Sequence, residues 1–185
     1  ALTEHAPEHA AEIVAREAFT RFKTYADYEA DVPMARLVEQ IVRASHVYRR
    51  FVEGADANNP IDRLQLFAYR TSVLESEVFK PVILWLLDPE QVPIPEDELT
   101  RSLEALESWL VRRMLVRVTT ASYTQIAAEL ITQLRKCDRL AAGTTVEQFL
   151  ANQTVVSRYW PDDDDLASEL SVLPVYQRLR RPRLR

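Results

Sequence analysis

The stretch EDELTRSLEALESWLVRRMLV, from Glu96 to Val116, decides the fold class of this chain. Its acidic first turn, residues 96–98, suits the positive N-terminal end of a helix dipole. Its apolar residues recur at helical spacing and fall on one face. That predicted core face consists of Leu99, Leu103, Leu106, Leu110 and Met114. The pattern therefore predicts one long amphipathic α-helix.

Outward from this helix, the same periodicity predicts helices along the whole chain. Prolines and capping residues mark their starts, as at Asn59-Pro60 and at Ser122. The run from Val82 to Leu87 is apolar all round, so its short helix is expected to be buried. The predicted helices are about Glu8–Tyr28, Met34–Glu53, Ile61–Ser76, Pro81–Leu87, Glu96–Val116, Tyr123–Arg139, Val146–Ala151 and Asp163–Leu170, with a last one beginning near Pro174 or Val175.

Residues and segments that would interrupt the helical pattern are scarce, and this scarcity predicts the fold class and the domain organisation. Only 2 glycines occur in 185 residues and β-branched alternation is scarce, so an all-α protein is predicted. No repeat of constant period and no low-complexity linker divides the chain. We expect a single irregular multi-helix bundle of about eight or nine helices across residues 1–185. The chain lacks an initiator Met and stops in a basic stretch, which favours an internal fragment of a larger multidomain protein.

Composition argues against several classes of protein. The net charge is −5, so no overall positive field attracts nucleic acid. No apolar run reaches the roughly 18 residues of a membrane-spanning helix, so no membrane partner is expected. Cys137 is the single cysteine, which excludes an internal disulfide and fits a cytoplasmic location. Gly54 and Gly143 are too far apart to form a glycine-rich phosphate loop.

Three groups of side chains raise the question of catalysis or metal binding. His5 and His9 have a spacing that can bind zinc, but no third ligand accompanies them. His46 is isolated, and a partly buried, hydrogen-bonded histidine is a better interpretation than a catalytic base. The carboxylates of residues 162–165 could hold magnesium, but an apolar-periodic segment follows them, which favours helix capping. We therefore predict no catalytic residue, no metal site and no cofactor.

Two arginine clusters leave two interpretations open. The first stands at the C-terminal end of the long helix, where the helix dipole alone favours cations. The second is in the C-terminal tail, where no acidic residue interrupts it, and such a tail can contact phosphates. Both clusters are candidates for contact with nucleic acid or with a neighbouring domain. The candidate residues are Arg112, Arg113, Arg117, Arg178, Arg180 and Arg181.

Two stretches together resemble a known family. The first is LEALESWLVRR, residues 103–113, followed by TTASY at 119–123. The second is WPDD at 160–163, followed by PVYQRL at 174–179. In this order they resemble the helical middle region of the GmrSD-type, modification-dependent restriction endonuclease family, over about residues 20–185. The resemblance implies structural or coupling positions at Trp109, Tyr123, Trp160, Pro161, Asp162 and Tyr176.

The resemblance also implies a function for the chain. In that family a ParB-like nucleotidase domain precedes the helical region and an HNH nuclease domain often follows it. The family's Asp-Gly-Gln-Gln-Arg and His-Asn-His motifs are absent from this sequence. We therefore expect a non-catalytic connector or DNA-proximal domain of a bacterial anti-phage restriction protein, whose partners are those two domains and duplex DNA. The alternative is a helical protein–protein interaction module, and self-association into a homo-oligomer is compatible with either.

Overall fold

The computed structural model describes residue 17 and residues 19–30, 32–55 and 62–172. Every regular element in these ranges is a helix, so the predicted all-α, multi-helix class is confirmed. The chain divides into two compact units, residues 1–43 and 44–185. None of the helices in the described ranges has both the length and the apolar character that crossing a membrane requires.

Between residues 19 and 43, the described residues of the first unit form one helical segment and the start of a second helix. Residues 19–24 are helical and continue into a π-helical turn, Tyr25–Glu29. Helix α1, Met34–Ala55, begins directly after Pro33, as the proline predicts, and extends into the second unit. The predicted first helix start at Glu8 lies outside the described residues.

The second unit continues with further helices between residues 62 and 172. Most of their borders lie within a few residues of the prediction, because prolines and acidic first turns mark them in the sequence. A short 3₁₀ turn, Arg139–Ala141, stands between the fifth and sixth helices. The helices are α2 Arg63–Val73, α3 Lys80–Leu86, α4 Glu96–Leu115, α5 Tyr123–Leu134, α6 Ala142–Ala151 and α7 Asp163–Val172.

Helix α4 is the centre of this unit. It packs against α2, α6 and α7, while α5 packs against α3 and α6. Leu103, Leu106 and Leu110 are buried, as predicted, and join a core of apolar side chains from the neighbouring helices. Leu99 and Met114, also predicted to face the core, are only partly buried. The stretch that predicted the fold class therefore lies at the middle of the second unit.

Helix α2 begins at a capping box. The Asp62 carboxylate accepts the backbone N–H of Gln65 at 2.7 Å, and the Gln65 side chain accepts the N–H of Asp62 at 3.3 Å. The predicted cap at Asn59-Pro60 lies outside the described residues. The helix begins at Arg63 and not at the predicted Ile61, because Asp62 supplies the capping oxygen.

The apolar helix α3 is buried on one face only. Val82, Ile83 and Leu86 are buried, whereas Trp85 is half-buried. The Arg139 guanidinium lies 4.4 Å from the Trp85 ring centroid and donates to the carbonyl oxygens of Trp85 and Leu86 at 3.1 and 3.0 Å. The prediction that the whole run is buried is therefore wrong for one side, where an arginine covers the indole.

Helix α5 ends at Leu134, whereas the sequence predicted an end at Arg139. The reason is Asp138, whose carboxylate accepts the backbone N–H of Leu140 at 3.0 Å and starts the 3₁₀ turn. A short polar side chain that bonds to a nearby backbone group competes with helix continuation. The apolar periodicity of α5 does not reveal this competition.

Helix α6 begins at Ala142, earlier than the predicted start at Val146. Gly143 lies inside this helix, at the point where α4 approaches it closely. A Cβ at this position would lie 2.2 Å from the carbonyl oxygen of Glu98. The buried Glu98 carboxylate also accepts the backbone N–H of Thr144 at 2.8 Å and its hydroxyl at 3.1 Å. Glu98 thus caps the first turn of α6 from a neighbouring helix.

Candidate functional site

Two α4 side chains bind the turn that follows α6. The indole N–H of Trp109 donates to the carbonyl oxygen of Arg158 at 3.1 Å. The Arg113 guanidinium donates to the carbonyl oxygens of Ser157 and Tyr159 at 2.7 and 2.8 Å. The carbonyl oxygens of such a turn have few backbone N–H partners from helices or sheets, so the two side chains supply the hydrogen-bond donors. The turn is therefore fastened to the central helix.

Arg112 extends this contact along the same segment. Its guanidinium donates to the carbonyl oxygen of Pro161 at 3.1 Å and forms an ion pair with the Asp163 carboxylate at 2.7 Å. Together with Trp109 and Arg113 it binds the carbonyl oxygens of four of the five residues from 157 to 161. We call Trp109, Arg112 and Arg113 the α4 clamp.

Arg113 is the buried member of the α4 clamp, with 0% exposure. Its guanidinium lies 4.6 Å from the Trp109 ring centroid and 5.4 Å from that of Tyr123. It also donates to the carbonyl oxygen of Thr119 at 2.9 Å. Two aromatic faces and three carbonyl oxygens compensate for the water that a buried cation loses. The charge is therefore solvated by the protein itself.

Two phenols beside the α4 clamp are held in the neutral form. Burial raises the pKa of Tyr123, and the Arg113 guanidinium opposes that shift with a smaller effect. Burial also raises the pKa of Tyr159, and the Asp165 carboxylate adds to that shift. Burial therefore favours the protonated form of both hydroxyl groups at alkaline pH.

The start of α5 binds the same turn from a second side. The Ser122 hydroxyl donates to the Ser157 carbonyl oxygen at 2.6 Å. Ser122 does precede α5, but its side chain does not cap the helix, so the predicted capping role is wrong. The Arg158 side chain adds an ion pair with the Glu129 carboxylate at 2.9 Å. The turn is thus tied to α4 and α5 together.

The Trp160-Pro161-Asp162 element leads from this turn into α7. The Asp162 carboxylate accepts the backbone N–H of Asp165 at 2.9 Å, and the Asp165 carboxylate accepts the N–H of Asp162 at 3.1 Å. This reciprocal pair confirms the capping interpretation of the acidic run. Pro161 is buried, and the half-buried Trp160 packs against the core.

The three arginines predicted at the C-terminal end of the long helix differ in their surroundings. Arg113 is completely enclosed and has no surface that DNA could reach in this structure, because it lies one helical turn beyond the buried Trp109 on the same face. Arg112 is half-buried and ion-paired, whereas Arg117 is exposed. The remaining predicted residues lie outside the described residues: Tyr176, Arg178, Arg180 and Arg181.

Sequence reasoning missed a second buried row on α4. Glu98, Ser102, Ala105 and Trp109 are buried and follow one another at helical spacing, and Arg113 continues the row. The apolar pattern singled out the adjacent row of leucines alone. The signal that could have revealed Arg113 is its position four residues after a tryptophan.

The histidines and carboxylates do not form a metal site in the described ranges. His46 is exposed on α1, so the expectation that it is partly buried is wrong. His5 and His9 lie outside the described residues. Within the described ranges, no three or more His, Cys, Asp and Glu side chains come together in a way that could hold a metal ion.

Comparison with known proteins adds no family assignment. The chain matches no protein-family model, no curated protein and no solved structure. Any functional conclusion must therefore follow from the α4 clamp and from the surfaces of the described helices.

Proposed function

We propose that this chain is a non-catalytic helical connector in a bacterial anti-phage restriction protein. It couples a ParB-like nucleotidase domain to an HNH nuclease domain of the same protein. The observation that carries the proposal is that the two family-like stretches, distant in sequence, meet at the α4 clamp. Arg112 binds the Pro161 carbonyl oxygen, and the indole of Trp109 binds that of Arg158.

A connector has to be stiff enough to pass a displacement from one end to the other. Helix α4 has 20 residues, which corresponds to about 30 Å. Near its N-terminus Glu98 caps α6, and near its C-terminus the α4 clamp holds the entry to α7. Packed interiors change between discrete arrangements and do not deform continuously. A shift of α7 is therefore expected to move α4 and α6 with it.

The sequence around the coding segment of this chain gives the most decisive test of the connector proposal. We expect an Asp-Gly-Gln-Gln-Arg nucleotidase signature upstream and an HNH motif downstream in the same reading frame. Their absence from the complete reading frame would overturn the proposal. In an intact parent protein, Arg113→Lys is expected to lower nucleotide-stimulated DNA cleavage more than nucleotide hydrolysis, because it loosens the connection between the domains.

The DNA-proximal form of the proposal predicts a salt-sensitive interaction. The exposed Arg117 and the arginine-rich tail sequence are the candidate phosphate contacts. Electrophoretic shifts with long duplex DNA should appear near ~50 mM salt and weaken strongly by ~200 mM. Arg117→Gln should weaken the shift, whereas Gln125→Ala, an exposed change on α5, should not. A chain that leaves DNA unshifted at low salt makes no such contact.

A second candidate function, a protein–protein interaction or self-association module, is favoured by helix α1. Met34, Val38 and Ile41 are about half exposed on the part of this helix that belongs to the first unit, although they are apolar. Exposed apolar side chains in such number indicate an interaction surface. Light scattering over a range of concentrations tests self-association, and a strict monomer throughout would count against it.

A further inference from the structure

Helix α7 packs loosely against its neighbours in the second unit. None of its ten residues, from Asp163 to Val172, is buried. A groove of about 450 Å³ lies where α7 meets α2 and α4, and its apolar lining consists of Leu66, Val111, Leu115 and Leu166. All four of these side chains are only half-buried. The apolar sides of the three helices therefore do not close on one another, and the gap removes packing contacts that a filled interior would have.

The polar contact between α7 and α4 is also a weak one. The Arg112 guanidinium forms its ion pair with the Asp163 carboxylate at 2.7 Å, but the Asp163 side chain is 87% exposed. Ion pairs that are open to water contribute little stability. In addition, α7 places two like charges four residues apart, at Asp165 and Glu169, which opposes its helical form.

The residues just before α7 are held much more firmly. The turn at 157–161 is bound through its carbonyl oxygens by the α4 clamp and by Ser122. Its last residue, Pro161, is buried. Segments with few buried apolar contacts open at a lower free energy than the packed core. The free energy of opening is therefore expected to fall sharply between Pro161 and Asp163.

We propose that α7 is a releasable latch: it detaches from α4 as one unit, while the turn at 157–161 stays in place. The chain bends between Pro161 and Asp163. A helix of ten residues is marginal on its own in water, so the released segment loses its helical hydrogen bonds. Release also exposes Val111 and Leu115 and separates Arg112 from Asp163.

The regulatory consequence of the latch rests on the proposed connector function. Docked α7 passes a displacement on to α4, whereas released α7 does not, so release uncouples the two ends of the connector. The release itself is a property of this chain and can be measured whether or not the chain is a connector.

Native-state hydrogen exchange of the 185-residue chain, followed by nitrogen-15 NMR at several low urea concentrations, measures the release. The amides from Leu166 to Leu170 should have protection factors within about threefold of one another, at least about a hundredfold below those of the slowest amides of α4. Their exchange should depend only weakly on urea, because a local opening exposes little surface. Fraying from the helix end gives protection that falls steadily toward Val172, and that result overturns the proposal.

A matched pair of substitutions tests the ion pair. Asp163 and Asp164 are both exposed carboxylates in the first turn of α7, but Arg112 pairs with Asp163. Asp163→Asn should therefore lower the protection of the α7 amides about two- to fivefold more than Asp164→Asn. Leu166→Ala removes an apolar contact in the groove and should lower the same protection by at least about threefold.

Two further results overturn the latch. One is exchange of the α7 amides only through global unfolding, with the urea dependence of the slowest amides of α4. The other is an equal effect of Asp163→Asn and Asp164→Asn. The complete reading frame tests the connector function separately, so failure of the latch and failure of the connector are distinguishable.

Discussion

Arg113 on α4 and Ser122 at the start of α5 donate to the same atom, the carbonyl oxygen of Ser157, at 2.7 and 2.6 Å. A single acceptor on the turn after α6 is therefore held from two helices at once. The Arg113 bond is charge-assisted, and hydrogen bonds of that kind are the stronger class. The position of this turn is consequently set by side chains of α4 and α5.

Replacing Arg113 is expected to destabilise the protein strongly. Arg113→Met keeps much of the side-chain volume but leaves the carbonyl oxygens of Thr119 and Tyr159 without their donor and that of Ser157 with Ser122 alone, so the free energy of unfolding should fall by about 3–5 kcal/mol. Arg113→Lys keeps the charge and some donors and should lose less. Urea unfolding measures both, with the exposed Arg135→Met as a control expected to change stability by about 0.5 kcal/mol or less. Similar values for Arg113→Met and Arg135→Met would show that the buried bonds contribute little.

Gly143→Ala is expected to destabilise the protein although alanine is the better helix former. The new Cβ would lie 2.2 Å from the Glu98 carbonyl oxygen, so α4 and α6 must move apart. This overpacking should outweigh the ~1 kcal/mol gain in helix propensity and leave a net loss of about 1–2 kcal/mol. Thermal unfolding checks the sign. Gln148→Ala, an exposed change on α6, should be close to neutral, and a stabilised Gly143→Ala would contradict the close approach.

Glu98 is expected to protect one particular amide. Glu98→Ala removes the acceptor of the Thr144 backbone N–H, so hydrogen exchange at Thr144 should accelerate and stability should fall by about 1–2 kcal/mol. Glu98→Gln keeps one carbonyl oxygen and should lie between. The exposed Asp97→Ala, in the same turn of α4, serves as the control and should leave Thr144 exchange unchanged. Equal exchange at Thr144 in all these proteins would rule out the cap.

Alkaline pH is expected to destabilise the fold through its buried phenols. Burial raises the pKa of Tyr123 above the ordinary value of 10.0, so the folded state keeps its proton where the unfolded state loses it. The stabilisation is complete below pH 10 and is lost as the pH rises through the folded-state pKa. Above pH 10.0 the free energy of unfolding should fall less steeply in Tyr123→Phe than in the unsubstituted protein. Tyr28→Phe, at an exposed tyrosine, should not change this slope. Absorbance titration at alkaline pH checks the assignment, and an unaltered slope in Tyr123→Phe would refute it.

The sequence predicted the helices well because their signals are local. The acidic first turn of α4, the Asp162 cap and the prolines act within one or two helical turns, so they can be recognised without knowing the fold. The errors arose where a contact that the apolar periodicity does not contain decides the border of a helix. Gly143 is intelligible only beside Glu98, and the end of α5 depends on the turn that Asp138 begins.

The candidate site was predictable in part. The resemblance singled out Trp109, Arg112 and Pro161, which the structure brings together. It could not say which of two adjacent arginines is buried, because both suit the end of an amphipathic helix. Arg113 is buried because α4 has two buried rows, and the loop that covers the second row comes more than forty residues later in the chain.

A double-mutant cycle between Arg113→Lys and Ser122→Ala tests the α4 clamp most directly. If both side chains fix the same turn through the Ser157 carbonyl oxygen, their effects on the free energy of unfolding are not additive. We predict a coupling energy of about 1 kcal/mol from urea unfolding of the two single variants and the double variant. Effects that add to within about 0.3 kcal/mol would contradict the account, since the two residues would then hold the turn independently.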